Sequence, residues 1–163
     1  MKTQTLNLFI VDDNQLMVTG LQHYLENRFG TDLNISSFCT GASALKYVDD
    51  TTNIVILDYF LQGENGNEVL KSIKQINPKT EVIMLSNNED MGIAIVSFRN
   101  GATDYVIKGE KSFKKITSLV YKIISYPVRV MIQEFGINKY IAIFTAIFVV
   151  MGIGIYLSLK FIH

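Results

Sequence analysis

Leu8-Phe9-Ile10-Val11-Asp12-Asp13 and Ile54-Val55-Ile56-Leu57-Asp58 decide how this chain is read. Each is a short, unbroken apolar run that ends in acid. Runs of this length, flanked by turn signals, read as strands buried on both faces, as a parallel sheet requires. Two further runs end in polar groups: Val82-Ile83-Met84-Leu85 leads to Ser86, and Tyr105-Val106-Ile107 leads to Lys108. The carboxyl ends of parallel strands emerge along one edge of the sheet, where ligands bind. Asp12, Asp13, Asp58, Ser86 and Lys108 are therefore expected to meet in one small site.

Helix signals fill the gaps between these strands. Asn14 is a suitable cap, and Met17, Leu21 and Leu25 recur at four-residue spacing up to Gly30. Leu33–Phe38 alternates as a short strand, and Ala42, Leu45 and Val48 step by three along a second helix. The polar turn Gln62-Gly63-Glu64-Asn65-Gly66 leads into a helix with Val69, Leu70, Ile73 and Ile76 on one face, stopped by Asn77-Pro78. A fourth helix runs from about Glu89 to Asn100 and is closed by Gly101. Phe113, Ile116, Leu119, Val120, Ile123 and Ile124 mark the last one. Five strand–helix units in strict alternation predict a doubly wound α/β architecture.

The chain has 163 residues, room for one ordinary domain and an appendage. Its formal net charge is zero, so no basic surface points to nucleic acid, and none is expected as a partner. The single cysteine, Cys39, excludes an intramolecular disulfide and is expected as a small core residue. Met1-Lys2-Thr3-Gln4-Thr5 lacks the apolar core of a signal peptide. His23 is expected on the outer part of the first helix, with no matching pattern of ligands around it.

Clustered carboxylates repel one another, so at neutral pH they keep a proton or recruit a cation. An all-oxygen donor set suits Mg²⁺, which also neutralises a phosphoryl group approaching an aspartate. A hydroxyl at Ser86 and an ammonium at Lys108 supply partners for phosphoryl oxygens. Together these are the parts needed to place phosphate on a carboxylate and hold it there.

In order and spacing the chain resembles the receiver domain of two-component response regulators over residues 4–125. The resemblance rests on Val11-Asp12-Asp13-Asn14, Leu57-Asp58, Gly66, Leu85-Ser86 and Gly101-Ala102-Thr103-Asp104-Tyr105-Val106-Ile107-Lys108. It implies a flavodoxin-like (βα)5 parallel sheet of order 2-1-3-4-5. It further implies that Asp58 is the phosphoacceptor, modified by a histidine kinase or phosphotransfer protein. Asp12, Asp13, Asp58 and the backbone carbonyl of Phe60 would hold Mg²⁺. Ser86 would sense the phosphoryl group, Lys108 would pair with it, and Tyr105 would be the switch aromatic. Three positions depart from the family pattern: Gly109 replaces a proline, Gln62 replaces another, and Asn87 stands where a small residue is usual. None of them removes a reacting group.

Tyr140–Leu159 is uncharged throughout, and at 1.5 Å per residue it would span roughly 30 Å, the thickness of a bilayer core. Lys139 and Lys160 bracket it, and Lys122, Arg129 and Lys139 precede it. The expectation is a single membrane span at 140–159 in the cell inner membrane, with the receiver cytoplasmic. Residues 126–139 form a linker in which Pro127 ends the last receiver helix. Val128, Met131, Ile132 and Phe135 lie either on the bilayer or beneath the receiver. Ala142, Ala146, Gly152 and Gly154 leave a homodimer open. The functional expectation is a membrane-anchored response regulator that signals to an unidentified downstream protein and catalyses at most its own phosphorylation and dephosphorylation. The alternatives are an unphosphorylated docking module and an aspartate-nucleophile phosphatase. The phosphatase pattern is not met, because the first strand carries adjacent aspartates and no acidic pair follows Lys108.

Overall fold

The apolar runs form the strands expected of them. The computed structural model describes residues 5–87, 89–134 and 143–152, with side chains left out of account for 126–134. In chain order the strands are β1 (Leu6–Val11), β2 (Leu33–Phe38), β3 (Thr52–Asp58), the two-residue β4 (Phe60–Leu61) and β5 (Glu64–Asn65), β6 (Glu81–Ser86) and β7 (Asp104–Ile107). The helices are α1 (Gln15–Phe29), α2 (Gly41–Leu45), α3 (Gly66–Ile76), α4 (Met91–Arg99) and α5 (Ser112–Glu134). Five strands make one sheet in the order β2-β1-β3-β6-β7, and every pairing in it is parallel. The hairpin β4–β5 pairs separately and antiparallel. With the hairpin set aside, this is the expected 2-1-3-4-5 order.

Burial explains why the inner strands read as continuous apolar runs. Ile54, Val55, Ile56 and Leu57 of β3 are buried, as are Val82, Ile83, Met84 and Leu85 of β6, because helices cover both faces. Each such side chain contributes about 1.5–3 kcal/mol by leaving water. The edge strand β2 is less covered: of its six residues only Leu33 is buried. Asn14 caps α1 by accepting from the N–H groups of Leu16 and Met17. Gly30, at φ +53°, turns the chain out of that helix. Asn77 ends α3 and anchors the sheet's lower edge, donating from Nδ2 to the carbonyls of Asp49 and Thr52.

Local details differ from the sequence pattern. Val18 joins Leu21 and Leu25 on the buried face of α1, while Met17 is only half-buried. Ile76, in the last turn of α3, is exposed. Cys39 is exposed rather than in the core. It follows the last paired residue of the edge strand β2, where the chain turns out of the sheet toward α2, and its sulfur lies 3.7 Å from Gln15 Oε1. Pro127 does not end α5, which continues as helix to Glu134.

The chain folds as two compact units, Met1–Tyr121 and Lys122–His163. The first holds the sheet and its covering helices. In the second, the described residues are the remainder of α5 and the helical, exposed stretch 143–152. The expected membrane span at 140–159, and with it the single-pass inner-membrane placement, is corrected: among the described residues no helix is long and apolar enough to cross a membrane. The rest of 140–159, and 135–139 of the expected linker, lie outside the described residues.

Candidate functional site

Strand register assembles the site. Pairing of β1 with β3 sets Val11 opposite Leu57, so Asp12 and Asp58 follow side by side. Pairing of β3 with β6 sets Asp58 opposite Leu85, so Ser86 comes one step further out. Ser86 in turn pairs with Ile107, and the Lys108 N–H donates to the Ser86 carbonyl at 2.7 Å. Four elements distant in sequence thus deliver their last residues to one edge.

A carboxylate oxygen from each of Asp12, Asp13 and Asp58 lies within 4.8 Å of the other two. Asp12 and Asp58 are buried, while Asp13 is exposed at the mouth. Lys108 reaches between the buried pair, its Nζ 2.7 Å from Asp58 Oδ2 and 2.8 Å from Asp12 Oδ2. Asp12 Oδ1 accepts the Asn14 N–H at 2.9 Å. Asp12 Oδ2 faces the ammonium with no hydrogen bond aligned on it. Asp58 Oδ1 accepts the Phe60 N–H at 3.3 Å.

These surroundings pull on the charges in opposite directions. Burial raises the Asp58 carboxyl above its usual range; the bond from Lys108 opposes this, and the neighbouring Asp12 charge adds to the rise. Burial by itself would lower the Lys108 ammonium, but its close contacts with Asp12 and Asp58 and their charges more than reverse that, so it is raised. Three carboxylates against one ammonium leave the pocket net negative. A compact set of oxygen donors with one exposed member fits a small, hard divalent cation such as Mg²⁺, which keeps part of its water.

Ser86 is fully buried at the end of β6. Phe60 opens β4 two residues past Asp58, its ring exposed and set edge-on against Tyr59 at 4.6 Å. Tyr105 is buried within β7, and its carbonyl accepts from Lys115 Nζ at 2.8 Å. His23 is on the outer face of α1, as expected.

Two residues of the polar turn after Asp58 also bear on the site: Gly66, one of the positions that carry the resemblance, and Glu64, to which the sequence assigned no role. Gly66 N–H donates to the Tyr59 carbonyl at 2.9 Å, and a Cβ at Gly66 would overlap the Asp58 carbonyl oxygen. Glu64 bonds to backbone at the start of α2. Glu64 stands in the sequence as one acid in a polar turn, and nothing in its spacing links it to a segment more than twenty residues earlier.

The response regulator receiver domain family matches residues 8–120. The chain is similar to the DNA-binding transcriptional regulator NtrC of Escherichia coli, 29% identical over 102 residues, covering 62% of this chain and 21% of that protein. It is also similar to the transcriptional regulatory protein MalR of Bacillus subtilis, 30% identical over 106 residues, covering 63% of this chain and 44% of that one. The matched region thus spans less than half the length of either relative. Among solved structures, a response regulator from Thermotoga maritima is 25% identical with a TM-score of 0.65, covering 75% of this chain and 99% of that one. The BeF3-activated DrrB receiver domain shares the fold at 24% identity, with the same TM-score and coverages. With its family match extending over most of the chain and its sheet in receiver order, the protein belongs to the response regulator receiver domain family, the phosphoacceptor domains of two-component signalling.

Proposed function

We propose that the receiver, residues 4–125, accepts a phosphoryl group on Asp58 from a histidine kinase or phosphotransfer protein and passes the signal on through contacts with another protein. The observation that carries this reading is the convergence of Asp12, Asp13 and Asp58 within 4.8 Å, with Lys108 bridging the two buried members. An Asp58 carboxylate oxygen attacks phosphorus, the new O–P bond forms, and the N–P bond to the donor imidazole breaks. The leaving imidazole takes up a proton from solvent. Asp12, Asp13, Asp58 and the Phe60 carbonyl would hold Mg²⁺. When bound, the ion supplies positive charge that lowers the repulsion between carboxylate and phosphoryl oxygens. Lys108 is close enough to Asp58 to transfer its ion pair to a phosphoryl oxygen there. Ser86, one step past Asp58 on the neighbouring strand, supplies a hydroxyl on the other side. Tyr105, two strands away on β7, is the aromatic whose packing would answer a movement of Ser86.

Incubation of the full chain with acetyl phosphate and Mg²⁺ tests the reading. The expected result is gain of one phosphoryl group by the wild type and none by Asp58→Ala. An unmodified wild type, under conditions that label another receiver, rejects it. A docking module that does no chemistry need not bind Mg²⁺, so a Mg²⁺ titration helps to separate the two readings.

A further inference from the structure

The hairpin β4–β5 follows Asp58 directly and carries Phe60, whose N–H bonds to Asp58 Oδ1 and whose carbonyl is assigned to the metal under the proposed function. Two residues cannot form a stable hairpin strand by themselves. Something outside the hairpin therefore has to set its position, and with it the backbone beside the reacting carboxylate.

We infer that Glu64 is a positioning residue for the chemistry at Asp58, its carboxylate holding the Phe60 hairpin against the start of α2. Both of its oxygens are used. Oε2 accepts the Gly41 N–H, and Oε1 accepts the Ala42 N–H at 3.1 Å. These are first-turn donors with no partner inside the helix. The bonds are not needed to begin α2, which has its own cap: Thr40 Oγ1 accepts the Ser43 N–H at 3.1 Å. What Glu64 adds is a tie between two loops that are remote in sequence.

Tight packing transmits that tie. Glu64 pairs with Leu61 across the hairpin, and Phe60 pairs with Asn65. A Cβ at Gly41 would overlap both Val69 and the Glu64 carboxylate, so α2 approaches as closely as backbone allows. Directly after the hairpin, Gly66 leaves no space against Asp58 and Tyr59. The hairpin is thus gripped from α2 by Glu64 and from α3 by the close approach of Gly66. Losing the first grip frees Phe60 to move away from Asp58.

The inference rests on the proposed function, and the experiment separates the two. Full-length wild type, Glu64→Ala and Glu64→Gln are titrated with Mg²⁺ by calorimetry, followed for Phe60 amide hydrogen exchange, and unfolded in urea. Glu64→Ala is expected to weaken Mg²⁺ affinity about tenfold, the low end of the loss caused by removing an outer support of a metal site. Glu64→Gln keeps one acceptor oxygen but turns an amide group toward the second N–H, so it falls between the two. Phe60 exchange speeds up in the same order. Phosphorylation by acetyl phosphate slows at limiting Mg²⁺ and recovers at saturation. If either variant loses urea stability while Mg²⁺ affinity and Phe60 exchange stay at wild-type values, Glu64 is only structural and the proposal is overturned. Should Glu64→Ala not fold, Glu64→Gln decides by the same readouts. A wild type that binds no Mg²⁺ and takes no phosphate removes the phosphoacceptor reading and this proposal together. A competent wild type matched by both variants removes this proposal alone.

Discussion

At the residue scale, Asp58 is held in a charge state that its surroundings resist. Its carboxyl is raised by burial and by Asp12, with Lys108 working against them. A carboxyl raised on folding costs stability wherever it is ionised, above its folded pKa, and that cost fades as pH falls toward the unfolded value. Asp58→Asn is therefore expected to raise the melting temperature of the metal-free protein at pH 7, measured in chelator. The gain should vanish as pH approaches 3.8, the ordinary value for an aspartate, where the wild-type carboxyl is neutral as well. Lys108 has the opposite sign. Its raised pKa gives stability that is complete below 10.5 and is lost only as pH climbs through the higher folded value. Lys108→Met strands two buried carboxylates and should cost about 3–5 kcal/mol in urea unfolding at pH 7 without metal. Asp12, Asp58 and Lys108 were legible as strand-end residues. That one ammonium spans both aspartates was not, because the spacing of strand ends says nothing about where a flexible four-carbon side chain comes to rest.

At the element scale, the decisive piece is the turn between β3 and α3. Gly66 sits where any side chain would strike the Asp58 carbonyl and the Tyr59 backbone. Gly66→Ala should lower stability by about 1–3 kcal/mol, as forced overpacking does, and should weaken Mg²⁺ binding by moving the backbone beside Asp58. Gly109→Ala is the matched control, since a Cβ there meets nothing within 4 Å; urea midpoints and Mg²⁺ titrations of the two variants check both outcomes. Helix and strand positions were legible wherever an apolar period persisted, as in β3, β6 and α1. The hairpin was not, because each of its strands is two residues long and too short to show a period. Pro127 misled in the other direction. A proline within a helix removes one hydrogen bond and crowds the preceding turn, but it bends or interrupts a helix without always ending it. In α5 the helix continues to Glu134.

At the scale of the whole molecule, metal binding and folding are linked. A ligand that binds only the folded state stabilises it, by about 2.7 kcal/mol at a hundredfold excess over Kd. Saturating Mg²⁺ should therefore shift the urea midpoint of the wild type upward, and Asp13→Ala should lose most of that shift; denaturation with and without chelator checks both. Local apolar runs were enough to establish a parallel α/β layer protein with acidic, hydroxyl and ammonium groups at its strand ends. Those conclusions follow from local apolar periodicity, which survives in any window of a few residues. The sequence also suggested a membrane span from the uncharged run 140–159, but length and hydropathy do not establish a continuous apolar helix, and none long enough is found among the described residues. Long-range packing alone settled that Asp12 Oδ2 and Asp58 Oδ2 share one ammonium, that Glu64 reaches the start of α2, and that Cys39 is exposed. Each of those depends on how segments tens of residues apart approach in space, and strand pairing and close backbone contact fix that geometry.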